Sequence, residues 1–179
     1  MNPPPHPYGG PVPAAPWQPF GAPADFGDRA LATLWDVLYL WPSWVLYALG
    51  IVTFVVAAVS LDPATGADNT LPGVLFAVGG LFLLVGFVVA LVMYVRNYVL
   101  DQGRTGYTWG KRKVGIRTVD LRTGQSPGTG SCLGRWVLHA LINQLFYLDY
   151  LWSLADPAKQ TLTDKVLTTV VVRQPPAKA

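Results

Sequence analysis

Residues 29–61 read RALATLWDVLYLWPSWVLYALGIVTFVVAAVSL: one arginine and one aspartate, then 25 residues without a charge. At about 1.5 Å per residue, a helix over residues 43–61 approaches the roughly 30 Å of a bilayer's hydrocarbon. A second tract, residues 73–95, is also uncharged and long enough to cross. Extending the first helix back from residue 43 through Trp35 to Arg29 puts Arg29, Thr33 and Asp36 on one face, with the small Ala32 beside them. An ionised pair at membrane depth cannot face lipid and marks either a functional site or a structural network. Pro42 lacks a backbone donor and is expected to kink this helix one turn beyond Asp36.

The composition agrees with two crossings. Hydrophobic residues make up 51% of the chain, charged residues 13%, and the mean hydropathy is +0.34, outside the habits of soluble domains. Residues 62–72 hold Asp62 and Asp68 but no Lys or Arg, whereas Arg96, Arg104, Lys111, Arg112, Lys113, Arg117, Arg122 and Arg135 follow the second tract. Because positive loops stay cytoplasmic, both ends are expected inside, the N-terminus included, in a multi-pass protein of the plasma membrane. The net charge of +3 and pI near 9.1 then describe a cytoplasmic face suited to anionic lipid headgroups rather than to nucleic acid.

Residues 1–24 are a different material, with nine prolines and no Lys or Arg. They read as a disordered tail, either a solvated leader or an arm whose Tyr8, Trp17 and Phe20 engage a membrane-complex partner. The membrane domain is expected over residues 25–173, with a short C-terminal tail over 174–179. With no charged n-region and apolar h-region, the first span must itself direct insertion. The single cysteine, Cys132, forbids an internal disulfide and reads as a packing residue.

Beyond residue 101 the pattern changes. Gly103, Gly106 and Gly110 interrupt the helix, residues 113–121 alternate apolar with polar, and residues 166–172 are rich in β-branched types, so these two segments are expected to pair. The third apolar tract, residues 133–155, has basic flanks. On a helix it aligns Arg135, His139, Asp149 and Asp156 along one stripe with Asn143 at its margin, while Phe146, Tyr147, Tyr150 and Trp152 suit an interface. His139 reads as a hydrogen-bonded interfacial residue, since one His outside the tail builds neither a metal site nor a triad. The fold class that follows is an all-α integral membrane protein with two transmembrane helices. A third amphipathic helix is interfacial or re-entrant, with spanning as the alternative, and a small two-stranded β unit is cytoplasmic.

These pieces, in this order, resemble the RDD family of prokaryotic membrane proteins. Arg29, Ala32 and Asp36 fit its opening Arg-x-x-Ala-x-x-x-Asp. Gly106, Thr108, Gly110, Lys111, Gly115 and Ile116 fit its Gly-x-Thr-x-Gly-Lys loop and strand, and Arg135 the arginine of the next helix. Gln160, Thr161, Asp164, Lys165, Thr168 and Val170 fit its closing segment. The chain departs at Thr163, where the family often has His; the Pro-rich tail resembles those of actinobacterial membrane proteins. The resemblance implies a site at Arg29, Asp36, Asp164 and Arg135, and a basic turn whose Lys111, Arg112 and Lys113 contact lipid headgroups.

It also implies transport of an unidentified ligand, by cation/proton exchange in some members. An exchanging carboxylate needs a tuned proton affinity, which Asp36 and Asp164 beside Arg29 or Arg135 could have. Two spans are few for a pathway, so transport would require a homo-oligomer; Gly73 and Ala77, and Gly86 and Ala90, are spaced for close helix contact, between chains or within one. The alternative is a membrane adaptor or accessory subunit of an envelope or respiratory complex, its charge cluster purely structural. Enzyme activity is not expected. Gly110 and Lys111 suggest a phosphate loop, but Thr105 stands where that motif needs Gly and Arg112 where it needs Ser or Thr. The chain has no Glu, no Cys/His cluster and no nucleophile flanked by a base, so neither metal nor cofactor is implied.

Overall fold

Helix α1 (Phe26–Tyr39) starts where the Asp25 carboxylate accepts the Asp28 N–H at 2.9 Å, a cap that satisfies one of the orphan donors of a helix start. It buries Arg29, Ala32 and Asp36 and exposes Leu31, Leu34 and Leu38. The computed structural model describes residues 18–61, 69–142, 148–156 and 159–174. Residues 29–61 are not one kinked helix. The backbone leaves helical geometry at Leu40 (ψ 9°), and α2 (Trp41–Val59) starts afresh with Pro42 in its first turn. Proline is tolerated there because the first turn needs no N–H, whereas continuing α1 would. Thus α1 is released from the apolar helix and packs mainly on α5.

Helix α2 runs antiparallel to α3 (Thr70–Tyr94). Their seam is built from two series of small residues at seven-residue spacing, Ser43, Gly50 and Ala57 against Pro72, Gly79 and Gly86. Such a period keeps one stripe of each helix facing the other. A Cβ on Gly50 would meet Leu83 at 2.7 Å, and one on Gly79 would meet Phe54 at 2.6 Å. Gly86 packs on Leu46 and Tyr47, within the chain, while Gly73 has nothing within 4 Å. Away from the seam the helices are apolar and open: Val59 is 77% exposed and Leu84 61%. They are the two helices long and apolar enough to cross a membrane among the described residues.

Helix α3 does not stop at the end of its apolar stretch. A π-helical segment (Val95–Asp101) and α4 (Gln102–Thr105) continue it to 36 residues, roughly 50 Å of helix. The uncharged stretch ends at Val95, and the last turns carry the buried Asn97 and Gln102 into the polar part of the fold. Gly106 ends the run in the left-handed region (φ 81°). Thr108 then caps α5 (Trp109–Val114), and Gly115 (φ 78°) turns the chain into β1.

Strand β1 (Ile116–Asp120) pairs antiparallel with β2 (Thr169–Arg173), Thr118 opposite Val171. The two expected segments pair as expected. A two-stranded ribbon is marginal alone, and here both faces are covered. Ile116 and Val171 pack with Ala24 and Ala32 of α1, while Val119, Val170 and Val172 pack with Phe20 and Leu121. Residues 18–24, read from sequence as tail, belong to this core: the Ala24 N–H donates to Val171 O, and the Arg173 N–H to Ala22 O, each at 2.8 Å. At the other boundary Gln174 bonds Gly115 O and accepts from Tyr107. Residues 1–17 and 175–179 lie outside the described residues.

The third apolar tract forms α6 (Thr129–Ile142) and α7 (Leu148–Ala155). Their described residues number 14 and 8, and residues 143–147 between them lie outside the described residues. Cys132 is buried in α6; the side chains of His139, Asn143 and Asp149 lie outside the described residues. A short α8 (Leu162–Val166) leads to β2.

Gly110→Ala is expected to destabilise the protein by about 3 kcal/mol or more, since its Cβ would lie 2.0 Å from Ala32 O, a backbone clash that rotamers cannot relieve. Gly73→Ala should stay within about 0.5 kcal/mol. Thermal unfolding in detergent checks both, and equal losses would refute this packing.

Candidate functional site

The buried face of α1 delivers Arg29 and Asp36 to two different partners. Seven residues separate them by about 10 Å along the helix, too far to share one small group. Arg29 Nη1 donates to Asp164 Oδ2 at 2.8 Å and Nη2 to Lys159 O at 2.6 Å. From α6, Arg135 Nη1 donates to Asp164 Oδ1 and Nη2 to Thr169 Oγ1, each at 2.5 Å. Asp164 is fully buried and also caps its own helix. It accepts the Thr161 N–H while the Thr161 hydroxyl accepts the Asp164 N–H, a reciprocal capping box legible as Thr161-x-x-Asp164. Burial alone would push this carboxyl up. The charges of Arg135 and Arg29, with their hydrogen bonds, outweigh it and hold the acid well below the usual carboxylate range.

Asp36 is held by neutral donors. Asn97 Nδ2 (2.8 Å) and the Gly110 N–H (2.7 Å) donate to Oδ1, and the Thr108 hydroxyl donates to Oδ2 at 2.7 Å. Among the described residues no Lys or Arg bonds it, so the expected Arg29–Asp36 pair is replaced by Arg29–Asp164. Asn97, unflagged in the sequence reading, is the hinge of this second network. It sits in the π-helical segment, donates to Asp36 and accepts the Trp109 N–H at 2.7 Å. A single widened turn often marks such a redirected polar group. The sequence signal was an Asn two residues beyond the second apolar tract, after Arg96.

Lys111 parts from its neighbours. Arg112 and Lys113 are exposed, with Lys113 Nζ 5.3 Å from the Trp109 ring centre. Lys111 turns inward and donates to Thr118 Oγ1 at 2.8 Å, because the α5 turn that brings the Gly110 N–H to Asp36 aims the next side chain under the sheet. Burial, then the charge of Arg135, lowers its pKa from 10.5 to about 8, against Asp164 and Asp36, which raise it. Arg29, Asp36, Lys111 and Arg135 line one cavity of about 180 Å³, whose walls include Tyr94, Tyr98, Cys132 and Trp136. Among the described residues no three His, Cys, Asp or Glu side chains stand close enough to hold a metal.

The sequence profile described as the RDD family matches residues 23–168. The chain belongs to the RDD family. The start of the match at residue 23 agrees with the docking of Pro23 and Ala24 on the sheet. The RDD chain is also similar to a proline-rich antigen homolog of Mycobacterium tuberculosis (strain CDC 1551 / Oshkosh). They are 35% identical over 98 residues, which is 55% of this chain and 37% of the relative. With the proline-rich antigen of Mycobacterium leprae (strain TN) it is 32% identical over 93 residues, 52% of this chain and 37% of the relative. The chain thus aligns with little more than a third of these curated relatives. No solved structure matches. The arginine and two aspartates that open and close the RDD motif meet in this fold as one Arg–Asp pair and one separate aspartate.

The Lys111 environment sets a pH dependence. Its folded pKa near 8 lies below its ordinary 10.5, so the unfolded chain takes up this proton first as pH falls. The stabilisation from a neutral Lys111 is complete above 10.5 and lost as pH falls towards 8; stability attributable to it rises with pH across that window. Lys111→Met is expected to flatten that rise in denaturant titrations at stepped pH, and an unchanged slope would contradict the burial described.

Proposed function

We propose that this RDD protein is a non-enzymatic, multi-pass plasma-membrane protein that inserts its α2–α3 hairpin across the bilayer and keeps its polar cap in the cytoplasm. Its arginine–aspartate networks clamp that cap together rather than couple ions. The apolar faces that α2 and α3 leave uncovered support insertion, since a core helix of a soluble protein would be mostly buried. The charge of the cap, with exposed Arg104, Arg112, Lys113 and Arg122, supports the cytoplasmic assignment and contact with anionic headgroups. As an adaptor, the protein presents this face and its Pro-rich tail to a larger membrane assembly; that the two mycobacterial relatives are named proline-rich antigens fits a role for such a tail.

One observation carries the clamp reading: the protein's own donors already occupy every carboxylate oxygen of Asp36 and Asp164. A cation-coupling carboxylate needs a vacant lone pair and a reachable proton affinity, and Asp164 has neither. Transport by a homo-oligomer is the second reading, favoured by the cavity beside the end of α3.

In proteoliposomes the native chain is expected to show no cation-dependent proton flux. Asp164→Asn should cost about 3–5 kcal/mol in stability by stranding two buried guanidiniums. Flux in the native protein, lost in a folded Asp36→Asn variant, would sink the clamp reading. For topology, single cysteines at Asn69→Cys and Arg122→Cys in a Cys132→Ser background are to be labelled with an impermeant maleimide. Labelling of position 69 in intact cells, and of position 122 only after permeabilisation, is expected; the reverse would overturn the orientation.

A further inference from the structure

We propose that the cavity between α1, α5 and α6 is an oxyanion site, taking a phosphate group on Lys111 with Arg29 and Arg135 as its cationic wall. The cavity carries a donor–acceptor imbalance. Asp164, beside the cavity, already receives Arg29, Arg135, the Thr161 N–H and the Thr169 hydroxyl, and Asp36 on its wall receives three donors. The cationic donors are less fully used. Among the described residues, Lys111 uses one of its three N–H groups. Arg29 uses two of its five, and its buried Nε has no acceptor. A ligand entering here meets donors in search of an acceptor, which selects an anion over a cation.

Charge points the same way. Arg29, Arg135 and Lys111 line the cavity together with Asp36; counting Asp164, which both arginines bond, three cations stand against two carboxylates. Both arginines are engaged with Asp164, and Asp36 is matched by neutral donors, so Lys111 is the cation without a carboxylate partner. Buried charge persists when paired, and a bound oxyanion would supply that pair and hold the ammonium protonated. Burial and the charge of Arg135 depress the Lys111 pKa, and an oxyanion bound beside it would act against both. At about 180 Å³ the cavity is below the roughly 300–1,000 Å³ of organic-ligand pockets and suits a small group.

The group can be free phosphate or the phosphate of an anionic lipid. Tyr94, Tyr98 and Trp136 wall the cavity, and the helices that contribute Arg29 and Arg135 to it also carry the exposed Leu34, Leu38 and Val137, a composition suited to the headgroup level. Only the lipid source rests on the membrane reading above; the oxyanion site does not.

The test uses the full chain in phosphatidylcholine nanodiscs, titrated with inorganic phosphate against chloride at equal ionic strength, and in parallel in discs doped with phosphatidic acid. A saturable rise in unfolding temperature is expected with at least one ligand, with an apparent affinity at least tenfold weaker in Lys111→Gln. A response to phosphate alone assigns a free anion, and a response to phosphatidic acid alone assigns the headgroup. No response to either, or an equal response in Lys111→Gln, overturns the site. If that variant does not fold, the native chain still decides: acylation of Lys111 at pH 8, read by mass spectrometry against the exposed Lys113, should slow at least threefold with ligand. Unchanged relative labelling overturns the proposal.

Discussion

The buried carboxylate of Asp164 is the constraint on which the cap of this protein rests. A desolvated carboxylate is unfavourable unless its lone pairs are met. Here they are met by Arg29 from the first helix, Arg135 from the third apolar tract, and the first turn of its own helix α8. Three segments separated by up to 135 residues are thereby tied to one side chain. The strand that follows α8 is delivered to β1 in a single register, which a two-stranded ribbon alone would fix only weakly. Removing one partner leaves a buried charge unmatched, which is why the arrangement holds together or fails as a unit.

Asp36 does for the other half of α1 what Asp164 does for the first, with different chemistry. Its donors are an amide, a hydroxyl and a backbone N–H, so the join depends on close approach rather than on charge. Gly110 permits that approach, since any Cβ would enter Ala32 O, and the π-helical turn permits it by swinging Asn97 towards α1. The long helix of the hairpin is thus locked to the cap through Asn97. Any tilt of α3 would be felt at α1 and α5. The same turn of α5 sends Lys111 inward, and the cavity with its surplus of donors follows from that geometry.

The features legible in the sequence are those with a strong local cause. Two uncharged tracts declare helices for apolar surroundings, β-branched runs declare strands, and rare charges in an apolar chain declare a network. Where the reading missed, the cause lay in pairing. Arg29 and Asp36 were read as an ionised pair on one helix face, but two turns of helix hold those groups apart and Arg29 reaches Asp164. Residues 18–24 look like the proline-rich stretch before them and yet cover the sheet. The Ser43, Gly50, Ala57 and Pro72, Gly79, Gly86 series was present as a seven-residue period but obscured by other small residues such as Gly73.

The sequence by itself determined the helical hairpin, the two strands, the family motif and which residues carry charge, because hydropathy, β-branching and motif spacing act over a few neighbouring residues. Only the tertiary structure decided which aspartate receives which arginine, that Asn97 and Gly110 complete the Asp36 site, and that Lys111 faces a cavity while Lys113 faces out. Those outcomes depend on how helices and a sheet distant in the chain pack. Hydrogen bonds and ion pairs reach about 3 Å, so the partner is chosen by that packing and not by separation along the sequence.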